Sequence, residues 1–267
     1  DVTAEMVFVG YGVVSPEYGI DDYAGLDVEG KIVVRMPGRH ASLPNEEGAH
    51  ISSGAERQRY AVERGAIGMI TVPTPAYEKR RPYSRSLNYI HSESMDWLNK
   101  DGTASKAHPQ LKGSALLNME TAQQLFANAP RSIDEVWASM ADDQSPQGFA
   151  LNAKVHLTKA STHRDITSPN VVGMIEGSDP VLKNEYVLYS AHSDHLGISK
   201  SVEKDRINNG AMDNAGGTAI FLETARMFAS LAEKPKRSIL FVAVTAEEKG
   251  LLGSDYYAQI PTVDAQN

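Results

Sequence analysis

Three short stretches in the second half of the chain concentrate proton-binding and metal-binding side chains. "AHSDHLG" (191–197) carries His192, Asp194 and His195, "NGAMDNAGG" (209–217) carries Asp213, and "TAEEKG" (245–250) carries the adjacent pair Glu247–Glu248. Zinc takes imidazole nitrogen and carboxylate oxygen, and a catalytic site leaves one position for water. His192 and Glu248 suit terminal ligands, and Asp213 has two oxygens with which to bridge two ions. Adjacent residues at a strand end point in different directions. Glu247 can therefore act as general base beside a ligating Glu248, and later return the proton to a leaving amine. Asp194, two residues from His192, suits the orienting partner of that ligand. Gly210, Gly216 and Gly217 allow the backbone a close approach to such a centre.

Taken singly, each stretch has a plainer reading. His-x-Asp is commonly a surface turn, Glu-Glu a solvated helix start, and "MDNAGG" a helix N-terminus capped by Asp213 or Asn214. What separates the set from coincidence is position, since each cluster stands where an apolar element ends. His195 lies beside the first cluster and its role stays open. His91, His108, His156 and His163 have no comparable surroundings and read as surface or structural residues.

The elements that must hold these clusters follow from hydrophobic patterning. "FALNAKVHLT", "NVVGMIEG" and "EYVLYSAH" read as a three-strand meander, the last strand delivering His192. A helix at about 215–232 presents Phe221, Ala225, Phe228 and Ala232 on one face. "SILFVAVTAEE" is apolar on both faces, as a strand covered on both sides must be. Strand, helix, strand in this order favours an α/β layered domain. In open α/β sheets the crevice beyond the strands' carboxyl ends receives ligands. The first half reads differently: apolar runs "EMVFVGYGV" and "GKIVVRMPG", a helix over 55–64 capped by Gly65, and a buried strand "AIGMITV" stopped by Pro73. Residues 73–110 read as a long surface excursion, and "NMETAQQLFANA" and "SIDEVWASM" as helices. The division between the halves is expected near residue 150, giving domains 1–150 and 151–267.

Composition narrows the classes. The 267 residues are 41% apolar and 22% charged, the balance of a globular protein, and no apolar run approaches the ~20 residues that span a bilayer. A net charge of −8 and the absence of a basic stripe argue against nucleic acid. The one basic cluster, "EKRRPYSR" (78–85), reads as a solvated loop. With no cysteine, thiolate chemistry, disulfides and Cys-based zinc sites are excluded. The chain opens without an initiator Met or the n- and h-regions of a signal peptide, so it reads as processed or excised.

"YSAHSDHLG", "NGAMDNAGGTA" and "TAEEKGLLGS" together resemble the zinc aminopeptidase family of bacterial leucyl aminopeptidases, whose relatives include glutamate carboxypeptidase and transferrin receptor. "VFVGYG…DDYAGLDVEGKIVVRMPG…ERQRYAVERGAIGMITVP" resembles the protease-associated domain that many members carry. The resemblance covers essentially the whole chain. It implies a mixed-sheet, three-layer α/β zinc exopeptidase fold, present in part, preceded by a β-rich protease-associated domain. It further implies a peptide substrate, His192, Asp213 and Glu248 as zinc ligands with Asp213 bridging, Glu247 as base, Asp194 as support, and a periplasmic or secreted location. A carboxypeptidase, a dipeptidase and a non-catalytic receptor of the same fold are the alternatives it leaves open. Ser193 stands where members often have Tyr, and Met212 where they often have Asp; neither is a ligand position. The family's two-zinc site uses five protein ligands, and the last carboxylate and histidine lie beyond the matching stretch. Asp255 and Asp264 fall at the wrong spacing and read as surface residues. The resemblance therefore implies a fragment that holds one ion or none, from an active parent with two.

Overall fold

Alternation along the first strand organises the N-terminal half. Met6 and Phe8 face one side of a sheet and Val7 and Val9 the other, and all four are buried. The computed structural model describes residues 1–90, 92–106, 108–141, 144–199 and 202–264. It divides into two units, Asp1–His91 with Lys106–Thr162, and Ser92–Ser105 with His163–Asn267. His91 lies outside the described residues.

The first unit is built on five strands: β1 (Val2–Phe8), β2 (Ile32–Arg35), β3 (Gly68–Thr71), β4 (Ser114–Leu116) and β5 (Phe149–Leu157), in the order β4-β3-β2-β1-β5. The first four run parallel and β5 closes the edge antiparallel to β1. Helix α1 (Gly54–Glu63), capped by Ser53, lies between β2 and β3 and contributes Tyr60 and Ala61 to the Val7 face. Gly65 follows it at φ +78, the left-handed turn that only glycine adopts freely. On the Phe8 face, α2 (Met119–Leu125) and α3 (Ile133–Ala141) add Phe126, Ile133 and Val136, with the Phe8, Phe126 and Phe149 rings in mutual contact. Helix α3 begins with a capping box: Glu135 N–H donates to Ser132 Oγ at 3.3 Å, and Ser132 N–H donates to Glu135 Oε2 at 2.7 Å. The loops at one end of the sheet are tied by a polar chain, Asp22–His40–Ser145, with both links at 2.8 Å.

In the second unit, β6 (Val171–Ile175) and β7 (Tyr186–His192) flank β8 (Ser238–Val244), antiparallel and parallel respectively. The sheets of both units are thus mixed. Helix α4 (Gly216–Ala229) packs Phe221 and Phe228 against Phe241 of the central strand. On the other face, Tyr257 of α5 (Leu252–Gln259) packs with Leu240, Val242 and Val244. Among the described residues no helix is long and apolar enough to cross a membrane.

Several expectations change. The expected meander does not form, because "FALNAKVHLT" becomes β5 and pairs with Val2–Phe8 rather than with its successor in sequence. Its two following strands do not touch each other either, since β8 lies between them. The two compact units part at 162/163, with β5 in the first. Helix α4 ends at Ala229, which leaves Ala232 exposed beyond it. The excursion over 73–110 folds in part: Pro75–Arg80 and Tyr83–Ser86 are short helices, and 92–105 belongs to the second unit. There Trp97 Nε1–H donates to Asp255 at 2.9 Å and its ring meets Tyr256 edge-on, so Asp255 is an anchor and not a plain surface residue.

Candidate metal centre

Strands β7 and β8 are in register up to the pair His192–Val244, so the two chains leave the sheet at one level. Ser193 N–H extends the ladder to Val244 O at 3.0 Å. Both segments then turn, and Asp194 joins them. Its carboxylate accepts the backbone N–H of Glu247 at 3.0 Å and of Glu248 at 3.2 Å, one on each oxygen. Ala246, at φ +52, sets the left-handed bend that aims both donors at that carboxylate. Beyond the pair, Thr245 N–H donates to Asn170 Oδ1 at 3.0 Å, and Asn170 Nδ2 donates to Gly253 O at 2.7 Å. The Glu247–Glu248 turn is thereby closed at both ends.

His192 is largely buried, with 13% of its side chain exposed. Its Nδ1–H donates to the Asp194 carbonyl at 3.1 Å, which leaves Nε2 facing Asp213 Oδ1 at 2.9 Å and Glu247 Oε2 at 3.8 Å. Burial opposes charge on the ring. The Asp194 carbonyl and the carboxylates of Glu247, Asp213 and Asp194 outweigh it and raise its pKa above the ordinary imidazole value. Asp213 comes from the distorted turn Ala211–Ala215 ahead of α4. That turn is tied to the strand end: Thr218 Oγ1–H and Asn214 Nδ2–H donate to His192 O at 3.0 and 3.4 Å. Asn214 Oδ1 also accepts from Gly217 N–H at 3.1 Å, so Asn214 caps the helix and Asp213 is turned to His192.

Two of the three expected glycines are required by close approach. A Cβ on Gly210, at φ +65, would stand 2.9 Å from Asp213 O and 3.0 Å from the His195 ring, and one on Gly217 would overlap Asn214. At Gly216 a Cβ would meet only an ordinary contact. Ser193 turns its hydroxyl to Val244 O at 3.2 Å, and Met212 is 92% exposed.

His192, Asp194, Asp213 and Glu247 therefore meet around one ring, while Glu248 is turned to His195 Nδ1 at 2.5 Å. Among the described residues, no three His, Asp or Glu side chains already surround a common point as ligands. The donor chemistry nevertheless suits zinc. With Nδ1 committed to a carbonyl, His192 offers Nε2 with Asp213 Oδ1 beside it, and the Glu248 backbone is tied to the same Asp194 that orients the ring. Sequence reading missed Thr218 and Asn170, whose side chains bond only to backbone and carry no local signature. His195 had only its proximity to mark it. His156 of the edge strand β5 makes a surface contact with its neighbour β1, 2.7 Å from Thr3 Oγ1.

Residues 170–267 match Peptidase family M28. The matched M28 segment holds every residue of the cluster. Aminopeptidase NAALADL1 of Mus musculus is 36% identical over 108 residues, 38% of this chain and 13% of that protein. Carboxypeptidase Q of Mus musculus is 27% identical over 215 residues, 79% of this chain and 42% of that protein. Transferrin receptor protein 2 of Homo sapiens is 28% identical over 277 residues, 95% of this chain and 31% of that protein. The chain spans less than half the length of each of these relatives.

Proposed function

We propose that this chain belongs to a zinc-dependent exopeptidase, exported from the cytoplasm, that removes N-terminal residues from peptides, with its first unit a protease-associated domain. One observation carries the reading: His192, Asp213 and the Glu247–Glu248 turn converge at the carboxyl ends of β7 and β8, where Asp194 ties the two strand ends together. His192 Nε2, Asp213 and Glu248 are the proposed ligands. Asp213 is the bridge if two ions bind, and Glu248 exchanges His195 for the cation. When bound, zinc supplies Lewis-acid polarisation of a peptide carbonyl and acidifies water. Glu247 takes the proton from the attacking water and delivers it to the departing amine. Asp194 fixes the base by its backbone, and the same residue's carbonyl orients the His192 ring. The match to carboxypeptidase Q covers 79% of the chain and that to aminopeptidase NAALADL1 38%, so the polarity of attack is tested directly. A receptor would have no use for a base beside a ligand, which disfavours the non-catalytic reading.

Zinc competition against a chromogenic chelator should show binding by this chain, weakened at least ~10-fold in His192→Ala and Asp213→Ala and kept in Glu247→Gln. In the full-length parent, Glu247→Gln should retain zinc and lose at least ~100-fold in turnover. Substrates amidated at the C-terminus should be cut and N-acetylated ones spared. Near-normal turnover in Glu247→Gln rejects the base; the reverse blocking pattern makes the enzyme a carboxypeptidase.

A further inference from the structure

The basic run of the first unit has no part in the zinc reading, and its placement gives it another use. Pro75–Arg80 and Tyr83–Ser86 are two short helices that meet at a bend around Arg81 and Pro82. Glu78, the one acid between residues 75 and 90, accepts Tyr83 N–H through both oxygens at 3.0 and 3.1 Å, and so holds the bend. The bend opens a cleft of about 330 Å³ lined by Tyr77, Arg81, Pro82, Arg85, Ser86 and Tyr89. That volume lies at the lower end of the ~300–1,000 Å³ of small-ligand sites.

Charge and apolarity meet there. Lys79, Arg80, Arg81 and Arg85 form no salt bridge among the described residues; Arg80 instead lies over the Tyr77 ring at 6.0 Å. Four cations within seven positions, with no ion-pair partner among the described residues, repel one another in a chain whose net charge is −8. Beside them, Leu87, Tyr89 and Ile90 are 46%, 61% and 63% exposed. A bare inorganic anion would use the guanidinium groups and leave the apolar side chains in water. Arg81, Arg85, Tyr77 and Tyr89 line a cleft together, an arrangement that suits a peptide segment more than a lipid surface.

We propose that the cleft binds an acidic peptide segment: carboxylates pair with the planar forks of Arg81 and Arg85, and a neighbouring apolar side chain lies against Tyr77 and Tyr89. The site uses no residue of the histidine–carboxylate cluster, so it stands or falls independently of the zinc reading.

Fluorescence anisotropy tests it, with a peptide of alternating Glu and Leu, fluorescein-capped at one end and amidated at the other, and its Gln-for-Glu analogue. The acidic peptide should bind at least tenfold more tightly than the analogue and weaken as salt is added. Arg81→Gln with Arg85→Gln should cost at least tenfold, while Lys154→Gln, an exposed cation of the same unit, changes nothing. Both arginines are exposed and form no ion pair among the described residues, so the double variant should melt as the wild type does; Tyr89→Ala provides a second, charge-neutral loss of binding. Equal affinity for the Gln analogue, or wild-type affinity in the double variant, overturns the proposal. Displacement by orthophosphate at the peptide's own concentration would reduce the cleft to a simple anion site. Binding to phosphatidylserine vesicles without peptide binding would make it a membrane contact.

Discussion

Asp194 holds the two halves of the cluster in register, although the glutamates carry the proposed chemistry. Its two oxygens take two backbone N–H groups across a gap of more than fifty residues, and its carbonyl takes the His192 ring. Hydrogen bonds to a charged group contribute about 1.5–3 kcal/mol each, and removing the acceptor leaves both donors unpaired. Asp194→Ala should therefore lower the unfolding free energy by about 2–4 kcal/mol in urea and weaken zinc about 10–100-fold, and Asp194→Asn should do less on both counts, because one oxygen remains. Ala246 shows the cost of that geometry. A non-glycine residue in the left-handed region is disfavoured by about 1–2 kcal/mol, part of which glycine's greater unfolded-state entropy offsets. Ala246→Gly should raise the urea midpoint by the equivalent of about 0.5–1 kcal/mol; a lower midpoint would mean that the methyl group packs usefully in the turn.

The element that decides the geometry is β8. Phe241 stacks on Tyr189 of β7 at 5.5 Å and meets Phe221 of α4 edge-on at 5.5 Å. The strand that brings the glutamates is thus clamped to the elements that bring His192 and Asp213. Truncating a buried Phe to Ala typically costs about 3–5 kcal/mol. Phe241→Ala should show that loss by calorimetry, and zinc affinity should fall with it although no donor has been altered. Helix α5 has its own anchor in Trp97, donated by a segment whose sequence neighbours lie in the first unit. Trp97→Phe keeps the ring contact with Tyr256 and removes the N–H donor to Asp255, a change of about 1 kcal/mol. Faster amide exchange confined to α5 would report it.

Across the whole molecule, carboxylates are held below their ordinary pKa by specific partners: Glu56 by the Arg59 side chain, Glu135 by the Ser132 N–H, Glu176 by Lys183 and Asp179 by the Leu182 N–H. A depressed folded pKa stabilises above the unfolded value and loses that contribution as pH falls through the folded one. The melting temperature should decline below about pH 4, and Glu135→Gln should make the decline shallower. The chain itself displayed the residue types of the cluster and their order, because apolar runs that end in His, Asp and Glu are local patterns. The same holds for the apolar run that became β1 and for the helical spacing over Ile133–Ala141. Its pairings were not displayed. Phe149–Leu157 joins Val2–Phe8 rather than the strand that follows it, residues 92–105 cross to the second unit, and Glu248 turns to His195. A strand's hydrogen-bonding edge is the same toward any partner, and a carboxylate is the same toward any cation. Only burial of complementary faces, made between residues far apart in the chain, selects one pairing from the many that local pattern allows.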